Sequence, residues 1–160
     1  MHKTKIDVPK STRESLIKLL NARLADALDL QMQSKQAHWN VKGPNFIGLH
    51  ELFDDVAEAI VEYVDTIAER AVILGGVAEG RVGDVAKATG LPEYPGDIKT
   101  GKDHVDALST ALATFGKAVR EAIGQAEELG DADTADLFTE VSRGVDKYLW
   151  FVEAHLQADA

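Results

Sequence analysis

Not one cysteine occurs in the 160 residues, which excludes a disulfide framework, a thiolate metal site and a cysteine nucleophile. Any metal must be held by nitrogen and oxygen. There is no run of about 18 apolar residues to span a membrane, and the opening segment Met1–Arg13 is charged where a secretory signal would be apolar. The expected location is the cytoplasm, with nucleoid association if DNA is bound; no membrane partner is expected. Basic residues are also scarce: 17 Lys and Arg face 27 Asp and Glu, a formal net charge of −10. Such a body is not built for nucleic acid, because phosphate binding needs clustered Lys and Arg to displace counterions. The exception is the first thirteen residues, where Lys3, Lys5, Lys10 and Arg13 outnumber Asp7. Residues 1–11 are expected to form a short, basic, poorly ordered tail.

The length suits one domain able to bury a core without staples. Ser11 and Glu14 have the spacing of a capping box, which predicts a helix from about Thr12. Leu16, Leu20, Leu24, Ala27 and Leu28 recur at three- and four-residue steps until Lys42-Gly43-Pro44 interrupts them. A second long helix is predicted from near Asn45 to the Gly75-Gly76 pair. Residues 77–101 are rich in glycine and proline, with room for a short helix over 82–88. Val105, Leu108, Leu112, Phe115, Val119, Ala122 and Ile123 restore the helical period up to Gly130. After a turn at 131–133, Leu137, Val141, Tyr148, Leu149 and Val152 define the last helix. Four long helices, two short links and one long crossover between the second and third describe an all-α, ferritin-like four-helix bundle. The bundle should occupy residues 12–156, with 157–160 as a C-terminal tail.

His38, His50, Asp54, Asp65 and Glu69 form the pattern H-x11-H-x3-D-x10-D-x3-E. Imidazole and carboxylate together suit iron, manganese or zinc, with positions left open for oxidant and water. On the second helix the two four-residue pairs fall within an arc of about 100°. They cannot share a metal within one straight helix, because Asp54 and Asp65 are separated by about 16 Å at 1.5 Å per residue. An antiparallel two-fold pairing of this helix with its copy brings the ends together and makes two equal sites. Ala57 and Val61 are expected at the crossing. Carboxylates at four-residue spacing usually form solvated faces; two such pairs on one face, with a histidine at the end of the preceding helix, favour metal. The Glu-x-x-His motif of a bundle-core di-iron site is absent.

At these residues the chain resembles the Dps family, the starvation-induced DNA-protecting mini-ferritins. The resemblance is carried by Lys35-Gln36-Ala37-His38-Trp39-Asn40, Asn45-Phe46-Ile47-Gly48-Leu49-His50-Glu51, Asp65-Thr66-Ile67-Ala68-Glu69-Arg70 and the C-terminal Asp146-Lys147-Tyr148-Leu149-Trp150-Phe151. It runs from about residue 12 to 156. It implies a hollow homododecamer with ferroxidase sites at the dimer interface. These oxidise Fe²⁺, typically with hydrogen peroxide or else with oxygen, and the cage stores the ferric mineral, protecting DNA. His38, His50, Asp54, Asp65 and Glu69 match the family's ligand types.

The resemblance extends to further positions. Glu51 and Asp55 match acids implicated in mineral nucleation, although with Glu58 and Glu62 they read equally as a solvated face. Asp131, Asp136 and Glu140 match acids lining the family's iron-entry pores, where like charges would attract cations; Asp133 also has the chemistry of an N-cap. Trp39 resembles a tryptophan beside the family's site, and packing would explain it as well. His2, His104 and His155 match no ligand position and read as surface or core residues. Family members that condense DNA often carry a longer, Lys-rich extension than this one. The competing class is a DNA-compacting structural protein acting through basic N-terminal tails, with iron secondary.

Overall fold

The computed structural model describes residues 1–157; residues 158–160 of the expected C-terminal tail lie outside the described residues. Among the described residues the chain is all helix: α1 (Lys10–Asn40), α2 (Phe46–Ile73), α3 (Val82–Ala88), α4 (Gly101–Glu128) and α5 (Ala132–Glu153). α1 packs on α2 and α4 on α5; α1 against α4 and α2 against α5 close the four-helix bundle. The core joins the predicted Leu16, Leu20 and Leu24 of α1, Leu108, Leu112 and Phe115 of α4 and Val141 and Val152 of α5 to Leu30, Phe53, Ile60, Ile67, Phe138 and Val145, which no predicted stripe contained; the predicted Leu28, Leu137, Tyr148 and Leu149 are partly buried at its edge. At the α2–α5 seam Gly144 is required by its neighbour, since a Cβ there would lie 1.7 Å from the Tyr63 hydroxyl.

α2 and α3 begin where expected, but the starts of α1 and α5 differ. α1 begins at Lys10, and its N-cap is Pro9, whose φ of −53° is already suited to entering a helix. The Ser11–Glu14 capping box does not form, because Ser11 lies inside the helix and Glu14 pairs with Lys10 at 3.6 Å. A true capping box opens α4 at Thr100 and Asp103, one turn before the first apolar residue of that stripe. The spacing Thr-x-x-Asp was its signal. α5 is entered from Asp131, not Asp133. The basic N-terminal segment lies along the end of α2: the His2 amide donates to the Gly75 carbonyl at 2.7 Å, and Val8 packs against the core. Arg13 donates to the Leu74 and Val8 carbonyls.

A row of polar groups on α1 pins the long crossover. Asp26 accepts from the Gly90 amide at 2.7 Å, Asp29 from the Thr89 hydroxyl at 2.7 Å, and Gln33 donates to the Pro92 carbonyl at 2.9 Å. Further along, the Tyr94 hydroxyl meets Nδ1 of His104, a core histidine, at 2.6 Å. His2 and His155 are exposed, as surface residues should be. No helix among the described residues is long and apolar enough to cross a membrane.

The α2–α5 end is held by a buried ion pair. Arg70 donates to both oxygens of Asp131 at 2.8 and 3.0 Å and to the Thr134 hydroxyl at 3.0 Å; the Thr134 hydroxyl in turn donates to Asp131. Burial pushes the Asp131 carboxyl up, but the bonds from Thr134 and Arg70 outweigh it and hold the group below its ordinary value. A carboxyl depressed in the folded state stabilises the fold above its unfolded pKa of about 3.9 and loses that contribution as pH falls through the folded value. Asp131→Asn should therefore cost roughly 3 kcal/mol near neutrality, as expected for one partner removed from a buried pair. It should also flatten the fall in thermal midpoint below about pH 4. Parallel wild-type and variant curves across that range would contradict the assignment.

Candidate metal centre

His38 sits in the last turn of α1 and His50 in the first turns of α2. The sharp Lys42-Gly43-Pro44 link, with Gly43 at φ +114°, folds the two helix ends together. The rings stack with centroids 3.7 Å apart and 21° between planes. Each ring is tied to the other residue's backbone: His38 Nδ1–H donates to the His50 carbonyl at 2.7 Å, and His50 Nδ1–H donates to the His38 carbonyl at 2.8 Å. A carbonyl can only accept, so both Nδ1 atoms carry the proton. In the neutral rings each Nε2 then keeps its lone pair, the form in which imidazole binds metal. Phe46 tilts against His50 at 5.1 Å between ring centroids.

Asp54 follows one turn after His50, and Lys35 of α1 donates to its Oδ1 at 2.5 Å. That bond holds the carboxyl below the usual range, and the two imidazoles add to the effect. Lys35 stood in the quoted motif, yet its contact was missed; its signal was a cation one turn before His38. Trp39 is exposed rather than packed, with the Lys35 ammonium 5.9 Å from its ring centroid.

Asp65 and Glu69 are exposed on the same face of α2 and make no ion pair among the described residues. His38 and His50 are stacked together with Asp54 one turn further along α2, and Asp65 and Glu69 lie roughly three turns beyond it. Among the described residues no three His, Asp or Glu side chains gather into a metal-holding group. Val61 is exposed between the two pairs, but Ala57, expected beside it, is 2% exposed and belongs to the core. Glu51, Asp55, Glu58 and Glu62 form an exposed acid strip beside the ligand face. Asp136 and Glu140 are exposed one turn apart on α5, whereas Asp131 is buried with Arg70.

Four long helices with one crossover, carrying this His and carboxylate set, define a ferritin-like protein. The Ferritin family model, described as a ferritin-like domain, matches residues 17–160. The chain is 47% identical over 156 residues to a DNA protection during starvation protein of Agrobacterium fabrum, covering 98% of this chain and 96% of the relative. The solved structure of DpsC from Streptomyces coelicolor superposes with a TM-score of 0.94 at 33% identity, over 99% of this chain and 92% of that one. That of Mycobacterium smegmatis Dps gives 0.93 at 32% identity, over 99% and 96%. This chain belongs to the Dps family.

The reciprocal histidine clamp makes a direct spectroscopic prediction. Solid-state ¹⁵N spectra of histidine-labelled protein at pH 8 should show His38 and His50 as Nδ1–H tautomers with unprotonated Nε2. An Nε2–H tautomer at either position would mean that the clamp is not formed.

Proposed function

We propose that the chain is a ferroxidase and iron store whose sites are completed by two copies. The observation that carries this reading is the clamp: two imidazoles locked with free Nε2 lone pairs beside Asp54, at one end of a helix face whose other end offers Asp65 and Glu69. In an antiparallel pair of α2 helices, the register that sets His50 against Glu69 also sets Asp54 against Asp65. The same register places exposed Ile47 against exposed Val72 and Phe46 against Ile73. Apolar side chains left bare on one chain thereby cover one another at both ends of the ligand row.

Each completed site joins two imidazoles and three carboxylates, a hard, mixed donor set that suits ferrous and ferric iron. Iron is substrate here. Two Fe²⁺ each give one electron to hydrogen peroxide, whose O–O bond breaks; with two protons it leaves as two waters, and hydroxyl radical is not released. Oxygen is the alternative oxidant. The assembly is a closed homododecamer of point-group symmetry that stores the ferric product. Glu51 and Asp55 supply acids for nucleation. Asp136 and Glu140 supply an entry pore, because Asp131's charge is already matched by Arg70.

His38→Ala or Asp54→Ala should slow peroxide-dependent Fe²⁺ oxidation strongly and leave the assembly intact, since the core stripes hold the fold. A sharper test mixes a variant lacking the histidines (His38→Ala, His50→Ala) with one lacking the distal acids (Asp65→Ala, Glu69→Ala). Random reassembly should make about a quarter of the sites whole, so activity near a quarter of wild type should return. No recovery despite demonstrated mixed assemblies would sink the interfacial site.

A second reading, DNA contact, is favoured by relatives named for DNA protection. On this chain it would depend mainly on Lys3 and Lys5, because Arg13 is spent on carbonyls and Lys10 on Glu14. Retardation of plasmid DNA should be weak, fall steeply with salt and vanish when residues 1–10 are removed. Binding that survives the truncation would place the contact elsewhere.

A further inference from the structure

The ligand cluster already contains a cation. The Lys35 ammonium sits 2.5 Å from Asp54 Oδ1 and 5.9 Å from the centroid of the Trp39 ring, one turn further along α1. Its side chain is only 28% exposed. A metal on Asp54 would bond its carboxylate at about 2 Å. On Oδ1 it would take the ammonium's own place; on Oδ2 it would still leave a dication and an ammonium within a few ångströms across a partly desolvated site, where like charges repel. The two cations exclude each other.

We propose that Lys35 is the resident cation of the empty site, which iron must displace, and that it sets the affinity of the Asp54 position. This rests on the iron-site reading above. In the empty site Lys35 neutralises a carboxylate that would otherwise face two more, Asp65 and Glu69 of the second copy. When metal arrives, the four-carbon stem lets the ammonium swing away from Asp54. The face of Trp39 is already at the limit of cation–π distance and gives it somewhere to go. The consequence is a site that holds a single divalent ion loosely and does not trap it.

The test is calorimetric titration of the intact assembled protein with Zn²⁺, a redox-inert probe for the same donor set, so no turnover is involved. Lys35→Met should bind Zn²⁺ about tenfold more tightly than wild type, the scale of one charge-assisted bond no longer in competition. Lys35→Arg, which keeps the charge, should stay within about twofold of wild type. In an Asp54→Ala background the Lys35→Met gain should disappear. A merely structural lysine would leave affinity unchanged or weaken it on removal, so equal or weaker binding by Lys35→Met, beside a wild type that does bind, overturns the role of Lys35. An equal gain in Lys35→Arg overturns it too, because charge would not be the cause. If wild type and variants all fail to take up Zn²⁺, it is the iron-site reading beneath the proposal that falls.

Discussion

The stiffness of one α-helix is the constraint on which the rest depends. α2 rises about 1.5 Å per residue and turns about 100°, so His50, Asp54, Asp65 and Glu69 share a face yet cannot converge. A flexible connection between the two pairs would let one chain close the site by itself. A straight helix forbids that, and the remaining features follow from it: Asp65 and Glu69 stay exposed without local partners, and apolar Ile47, Val61 and Val72 lie bare in the same arc. Bare apolar and acidic residues alternating on one helix face are poorly explained by solvent alone, and are explained by a second copy of the same face.

Rigidity at the histidine end has a different origin. The α1–α2 link has Gly43 in the left-handed region and Pro44 after it, so the two helix ends are folded tightly together. Each histidine then donates to a backbone carbonyl of the opposite helix; that of His38 is among the last carbonyls of α1, which a helix C-terminus leaves without intrahelical partners, while that of His50 lies near the start of α2. One pair of contacts thus closes the helix hairpin and selects the tautomer. Along the same helix, Asp26, Asp29 and Gln33 hold the crossover against α1. The element that presents His38 is fixed over most of its length.

What the sequence made legible follows from how local each signal is. The core stripes and the Val82–Ala88 helix were readable because apolar period and Gly/Pro punctuation act within a few residues. The shared face of Asp65 and Glu69 was readable because four-residue spacing on a helix is a statement about one face. The start of α1 was misjudged because two initiators compete there, Pro9 and Ser11, and the proline's fixed φ acts first. Lys35 and Arg70 were missed for a common reason: their partners, Asp54 and Asp131, are 19 and 61 residues away, and no local pattern records which carboxylate a cation will meet. Ala57 was misplaced because a small residue at the edge of an arc belongs as readily to the core as to the open face.

Charge sets the remaining condition on assembly. In the proposed two-copy site, bringing Asp54 of one chain against Asp65 and Glu69 of another would gather three carboxylates as the apolar flanks expel water, and that would raise the cost of each uncompensated charge. A metal can compensate them, but an assembly that required metal would fall apart whenever iron was scarce, the condition under which a store must remain ready. A cation supplied by the chain removes that dependence. Lys35 is suited to the task because its charge sits on a flexible stem: it can rest on Asp54 when the site is empty and yield when a divalent ion arrives. On that proposal, the ammonium that would stabilise the metal-free interface would also keep the first ion from binding too well, so that the two requirements would meet on the side chain that now pairs with Asp54.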